Sequence, residues 1–136
     1  TYGQFLRIGI SKKTSPIYFN QEEFLINAKG VVDLIHKAGG LAFLAHLYEY
    51  QIDDHIKFLQ NLVDKNIGLD GIEASYSSFS KEQQEIIEEF TKKNNLYRSG
   101  GSDYHGKDGR TERIGYGAEG KRIPKSYIEE WYNLIN

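Results

Sequence analysis

Four side chains that can move protons or bind metals stand at positions typical of a catalytic centre: His46, Glu73, Asp103 and His105. Imidazole and carboxylate groups both transfer protons and ligate divalent metals. His46 follows an apolar run directly, Glu73 lies within a second run, and Asp103 and His105 follow a third. In parallel α/β folds the carboxyl ends of the strands meet on one face, so we expect the four side chains to converge there.

Each of these residues also has a purely structural interpretation. His46 could equally be a core histidine that bonds a carbonyl group. Asp103 and His105 are flanked by glycines, so capping of a turn is the alternative for that pair. Glu73 is harder to explain structurally, because an unpaired carboxylate among apolar residues is costly. The sequence therefore predicts a partner for Glu73.

Helices are predicted in three segments, each of which opens with a capping residue and ends at glycine or asparagine. Within them, apolar residues recur at the three- and four-residue spacing of a buried helical face. The predicted limits are Asn20, in a capping box with Glu23, to Gly39; Asp53 or Asp54 to Gly68; and Ser80, in a capping box with Gln83, to Asn94. A short amphipathic helix is also predicted at residues 127–135, after a long loop at 106–122.

Strands are predicted between these helices, at residues 41–45, 71–74 and 96–99. The first is apolar throughout, as expected of a strand buried on both faces of a parallel sheet. Helix and strand alternate about every 30 residues, which matches the size of a βαβ unit. The predicted class is therefore α/β with a parallel sheet. The chain is interpreted as one domain or a fragment of one, with a leading segment at 1–19, the βα units at 20–106, and a loop and helix at 107–136.

Composition excludes several classes of protein. The 136 residues carry a formal charge of -2, so no overall basic field attracts nucleic acid, although a local patch stays open. There is no run long enough for a membrane span and no signal-peptide pattern, which predicts a cytoplasmic protein without membrane contact. The absence of cysteine leaves histidine and carboxylates as the strong metal ligands. The absence of methionine, even at position 1, predicts a piece cut from a longer protein.

Three stretches of the sequence resemble the polymerase and histidinol phosphatase (PHP) superfamily, in particular its stand-alone metal-dependent phosphoesterases. The stretches are AGGLAFLAH at 38–46, LDGIE at 69–73 and SGGSDYHG at 99–106. Their order and spacing agree with the family, and the last is the most distinctive. The resemblance covers residues 20–106 and implies the C-terminal part of a distorted (β/α)7 barrel.

The resemblance implies a metal-dependent hydrolysis of phosphate esters. His46, Asp103 and His105 stand at metal-ligand positions, and Glu73 is a candidate catalytic residue acting from behind those ligands. Two or three divalent ions, zinc, manganese or iron, are implied for the complete domain. The substrate implied is a nucleotide, a short oligonucleotide or a small phosphorylated metabolite. Cations in the loop after the third motif are candidates for phosphate contact: Arg110 and Arg113, with Lys107 and Lys121.

The sequence departs from the family pattern in two respects. Leu47 stands where a proline usually follows the strand-end histidine, and no histidine precedes His36, so the N-terminal His-x-His pair of the family is absent. We therefore expect the isolated chain to bind metal poorly and to lack activity, with the missing N-terminal half completing the site. The alternative is a non-catalytic PHP-like module for structure or partner binding.

A sheet cut from a barrel has open edges that something must cover. We expect either self-association of two chains through that edge or coverage by the segment at residues 2–10.

Overall fold

A parallel sheet of three strands carries the fold, in order β1-β2-β3. The structure is a computed structural model that describes residues 5, 11–20, 25–106 and 113–135. The strands are β1 (Phe43–Leu44), β2 (Gly71–Tyr76) and β3 (Tyr97–Gly101). The predicted α/β class with parallel strands is confirmed.

Strand β1 is shorter than the five residues predicted, which is a correction with a local cause. The Ala42 N–H is bound at 2.6 Å by the side chain of Asp70, 28 residues away, rather than by a neighbouring strand. At the other end, His46 adopts a left-handed backbone with φ 33°, which turns the chain out of the extended conformation. The apolar run at 41–45 therefore contributes only two residues to the sheet.

The described residues form four α-helices: α1 (Ala28–Lys37), α2 (His55–Asp64), α3 (Lys81–Lys93) and α4 (Lys125–Glu129). The predicted capping box of Ser80 and Gln83 is present in both directions, and Asp54, one of the two predicted alternatives, caps α2. The C-terminal helix is shorter than predicted, and a separate single 3₁₀ turn follows it at Tyr132–Leu134.

The predicted start of the first helix at Asn20 is wrong. Helix α1 begins at Ala28, and Asn27 caps it by accepting the Gly30 N–H at 2.9 Å. Residues 25–27 are not helical, and Leu25 is 70% exposed. Glu23, the proposed partner of Asn20, lies outside the described residues.

The core lies between β2 and the helices that follow each strand. Strand β2 contributes Ile72, Ala74 and Tyr76 to this core. The other buried members are Leu47, Leu59, Phe79, Ile87, Phe90, Ala118 and Tyr127. Leu47, the departure from the family's proline, is fully buried here and packs as a core residue.

The outer edge of β3 is covered by side chains from the C-terminal segment. The Arg98 N–H donates to Glu130 Oε2 at 3.3 Å, and the Arg98 carbonyl accepts from Trp131 Nε1 at 2.9 Å. The Trp131 ring also lies 5.2 Å from the ring of Phe43, centroid to centroid. Of the segment at 2–10 that was predicted to cover an edge, only Phe5 is described. Self-association stays a prediction.

Within the described ranges, no helix combines the length and the apolar run that a membrane span requires.

Candidate active site at the strand ends

His46 lies at the end of β1 and is held through its backbone. Its N–H donates to Glu73 Oε2 at 2.6 Å, which fixes the left-handed conformation of the residue. The imidazole packs against the rings of Tyr50 and Tyr76, with centroids 5.8 and 5.7 Å away. Nδ1 of the imidazole is buried, and no described residue bonds it. The alternative of a core histidine bonded to a carbonyl is therefore not observed at Nδ1.

Glu73 has the partner that its position predicted, and that partner is the His46 backbone. Burial raises the pKa of the Glu73 carboxyl, while the bond from the His46 N–H and the nearby imidazole oppose that rise. The carboxylate of Asp103 adds a further increase in the pKa. The pKa of Glu73 thus depends on the candidate ligands that follow both neighbouring strands, His46 after β1 and Asp103 after β3.

Gly101 makes room for this carboxylate on β3. A Cβ atom at position 101 would lie 2.5 Å from Glu73 Oε1, far inside ordinary contact distance. A larger residue at position 101 would therefore displace the Glu73 carboxylate.

Asp103 and His105 follow β3 in an exposed loop. Asp103 has a left-handed backbone with φ 51°, and its Oδ2 accepts a hydrogen bond from Tyr76 Oη at 3.2 Å. Nδ1 of His105 lies 2.5 Å from the Asp103 carbonyl oxygen. Since a carbonyl only accepts, Nδ1 of His105 is the donor in this contact. A histidine that ligates a metal commonly donates its other N–H to a carbonyl in this way.

Tyr76 is a site residue that the sequence did not single out. Burial and the Asp103 carboxylate raise the pKa of its phenol to about 12, so the hydroxyl stays a donor at neutral pH. The sequence places Tyr76 three residues after Glu73, near the end of the same strand. Its contact with Asp103 depends on the pairing of β2 with β3, which the pattern of apolar residues does not reveal.

The strand-end residues come together in pairs. Glu73 meets His46, Tyr76 meets Asp103, and Nδ1 of His105 lies 3.8 Å from Asp103 Oδ2. Among the described residues, however, no three histidine or acidic side chains approach closely enough to hold a metal ion. Imidazole and carboxylate groups suit a divalent metal, and the buried Nδ1 of His46 has no hydrogen-bond partner among the described residues. The ligands that these residues bring together are nevertheless too few to hold an ion. The assignment of His46, Asp103 and His105 as ligands stays a prediction.

Of the predicted phosphate-binding cations, Arg113 is described and exposed, and Arg110 and Lys107 lie outside the described residues. The guanidinium of Arg113 stacks on the ring of Tyr116 at 4.4 Å, and Arg122 lies 5.8 Å from the same ring. Lys121 pairs with Glu119 at 2.7 Å. The segment is anchored to β2, because Ser75 Oγ accepts the Ala118 N–H at 3.1 Å.

Two curated relatives match the strand and helix region. The chain is 35% identical over 91 residues to a phosphoribosyl 1,2-cyclic phosphate 1,2-diphosphodiesterase of Eggerthella lenta, covering 67% of this chain and 33% of that protein. It is 33% identical over 76 residues to a 5'-3' exoribonuclease of Haemophilus influenzae, covering 54% of this chain and 27% of that protein. No protein-family model matches the chain.

Two solved structures share the fold. One, assigned as a metal-dependent phosphoesterase from Bifidobacterium adolescentis, superposes with a TM-score of 0.65 at 22% identity over 98% of this chain and 44% of that chain. The predicted resemblance to the PHP superfamily is confirmed. An amidohydrolase from Chromobacterium violaceum, with bound sulfate and no metal, shares the fold at a TM-score of 0.62 and 23% identity over 97% of this chain and 43% of that chain.

The chain spans between about a quarter and a third of the length of the curated relatives and less than half of the solved structures. The predicted fold class is thus confirmed at the level of the α/β architecture that these larger proteins share.

Proposed function

We propose that the chain forms part of a metal-dependent hydrolase that acts on phosphate esters. The observation that carries this proposal is the linkage at the strand ends, where Glu73 holds the backbone of His46 and Tyr76 holds the side chain of Asp103. Relatives named as phosphodiesterase, exoribonuclease and metal-dependent phosphoesterase support the reaction class.

His46, Asp103 and His105 would hold a divalent ion, zinc, manganese or iron. Imidazole suits zinc and iron, and carboxylate oxygen suits manganese. Such an ion acts as a Lewis acid on the phosphoryl oxygen and lowers the pKa of an attacking water molecule. Glu73 would not bind the ion itself but would position His46 by accepting a hydrogen bond from its backbone N–H. Two or three ions require more donors than the described residues bring together, so further ligands from the rest of the protein are part of the proposal.

The substrate proposed is a nucleotide, a short oligonucleotide or a small phosphorylated metabolite. The guanidinium groups of Arg113 and Arg122 both lie near the ring of Tyr116, so two cations and a ring occur at one place. Guanidinium groups bind phosphate through paired hydrogen bonds, and a tyrosine ring can stack on a base. Because Ala118 and Gly117 pack on Ser75, this group stays attached to the strand that carries Glu73.

No three ligands converge among the residues that the structure describes, and this favours one other function, a non-catalytic PHP-like module that binds a partner. Metal analysis and hydrolysis of bis(4-nitrophenyl) phosphate by the natural full-length protein separate the two functions. For the hydrolase, we expect bound metal and a fall in kcat/KM of at least about a hundredfold in Asp103→Asn, on the scale of losing a transition-state interaction. Asp64→Asn, on an exposed part of α2, is the matched control. A protein without bound metal whose Asp103→Asn variant behaves like the control would overturn the hydrolase proposal.

A further inference from the structure

Tyr76 touches two candidate ligands that lie at the ends of different strands. Its hydroxyl donates to Asp103 Oδ2 at 3.2 Å, and its ring lies 5.7 Å from the His46 imidazole. Tyr76 itself is only 8% exposed and packs edge-on against the buried ring of Phe79. A side chain held this firmly can hold others in turn.

An irregularity in β2 determines where Tyr76 lies. Glu73 pairs with Ser99 across β2 and β3, but Ser75 pairs with Gly100, so β2 contains one extra residue. Without that residue Tyr76 would lie opposite Ser102. With it, Tyr76 lies opposite Gly101, two residues before Asp103. A bulge commonly re-aims a side chain next to an active site, and here it sets the tyrosine back from the loop that its hydroxyl reaches.

Asp103 is a residue that needs such a contact. It is exposed and has a left-handed backbone, a conformation that side chains other than hydrogen disfavour. The His105 ring in turn bonds the Asp103 carbonyl, so the place of Asp103 determines the place of His105 as well. One hydroxyl therefore fixes both residues of the Asp-x-His motif.

We infer that Tyr76 is a positioning residue that holds the Asp103 carboxylate, and through it His105, in the orientation for metal binding, while its ring packs the His46 imidazole. This inference rests on the proposed function for the identity of the three ligands. The tether itself does not depend on any metal.

The test is Tyr76→Phe, which removes only the hydroxyl, compared with Tyr127→Phe. Tyr127 is a matched control because it is also buried and also donates its hydroxyl to a carboxylate, that of Glu88, away from the strand ends. The first measurement is the ¹⁵N order parameter of the amides at 103–105 in the metal-free chain. We expect values near 0.85 for the parent chain and the control, and below about 0.6 for Tyr76→Phe.

The second measurement is the Mn²⁺ affinity of the natural full-length protein by titration calorimetry, with the same two substitutions. We expect Tyr76→Phe to weaken binding about 10- to 100-fold, the usual cost of losing a group that orients a ligand, and Tyr127→Phe to leave it unchanged. Equal order parameters in the two variants would overturn the inference, and so would a mobile loop with unchanged Mn²⁺ affinity. A natural full-length protein that binds no Mn²⁺, together with a Tyr76→Phe chain in which residues 103–105 are still loosened, supports the tether and counts against the proposed function instead.

Discussion

Gly101→Ala tests whether the Glu73 carboxylate is what holds His46. The new Cβ would lie 2.5 Å from Glu73 Oε1, and its next neighbours would be at 3.7 and 4.0 Å. The clash is therefore confined to one oxygen at the end of a side chain. The backbone of β3 has no need to move, but the carboxylate has to.

The size of the effect follows from two distances. To reach ordinary contact at 3.4 Å, Oε1 has to retreat by about 0.9 Å. The same displacement stretches the bond from the His46 N–H to Oε2 from 2.6 Å towards the limit of a hydrogen bond. A bond to a charged group contributes about 1.5–3 kcal/mol, and alanine in place of glycine in a strand returns about 0.5–1 kcal/mol. We expect a net loss of about 0.5–2.5 kcal/mol in the free energy of unfolding.

Urea unfolding of Gly101→Ala measures this loss, and a double-mutant cycle with Glu73→Ala assigns it. With Glu73→Ala in place the clash partner is gone, so the added methyl group should be neutral or slightly stabilising. The amide resonance of His46 should shift in Gly101→Ala and show no additional shift when both changes are combined. An equal loss of stability with and without the Glu73 carboxylate would refute the reasoning.

Three further substitutions test the scaffold, each by urea unfolding. Gly71→Ala should cost about 1–3 kcal/mol or more, because its Cβ would lie 2.2 Å from the Phe43 ring and 2.6 Å from a backbone oxygen. A cost below about 0.5 kcal/mol would contradict that packing. Ser80→Ala should cost about 1 kcal/mol through loss of the N-cap bond, and a neutral result would show that the capping box contributes nothing. Trp131→Phe should cost about 1 kcal/mol by leaving the Arg98 carbonyl without its donor, and an unchanged transition would count against that bond.

Local features of the fold were predictable from the sequence, and features that depend on distant residues were not. The capping box of Ser80 and Gln83 involves residues three apart, so its pattern is visible in the chain. The start of α1 was misplaced because Asn20 and Asn27 offer the same side-chain acceptor, and local pattern alone does not choose between them. Strand β1 was predicted too long because its apolar composition says nothing of where its backbone groups find partners.

The candidate site divides in the same way. The rule that chemistry gathers at the carboxyl ends of parallel strands predicted the places of His46 and Asp103, and both lie there. The contacts that hold them were not predicted. The acceptor role of Glu73 depends on the left-handed turn at His46, and the reach of Tyr76 depends on a bulge that only strand pairing reveals.

The covered edge of β3 has a consequence for aggregation. A foreign strand that tried to extend the sheet at Arg98 would find its N–H and carbonyl already bound to Glu130 and Trp131. To template a fibril there, it would first have to displace a carboxylate and an indole whose ring is packed on Phe43. Two side chains thus protect this stretch of the sheet from edge-to-edge polymerisation without the chain having to provide a further strand.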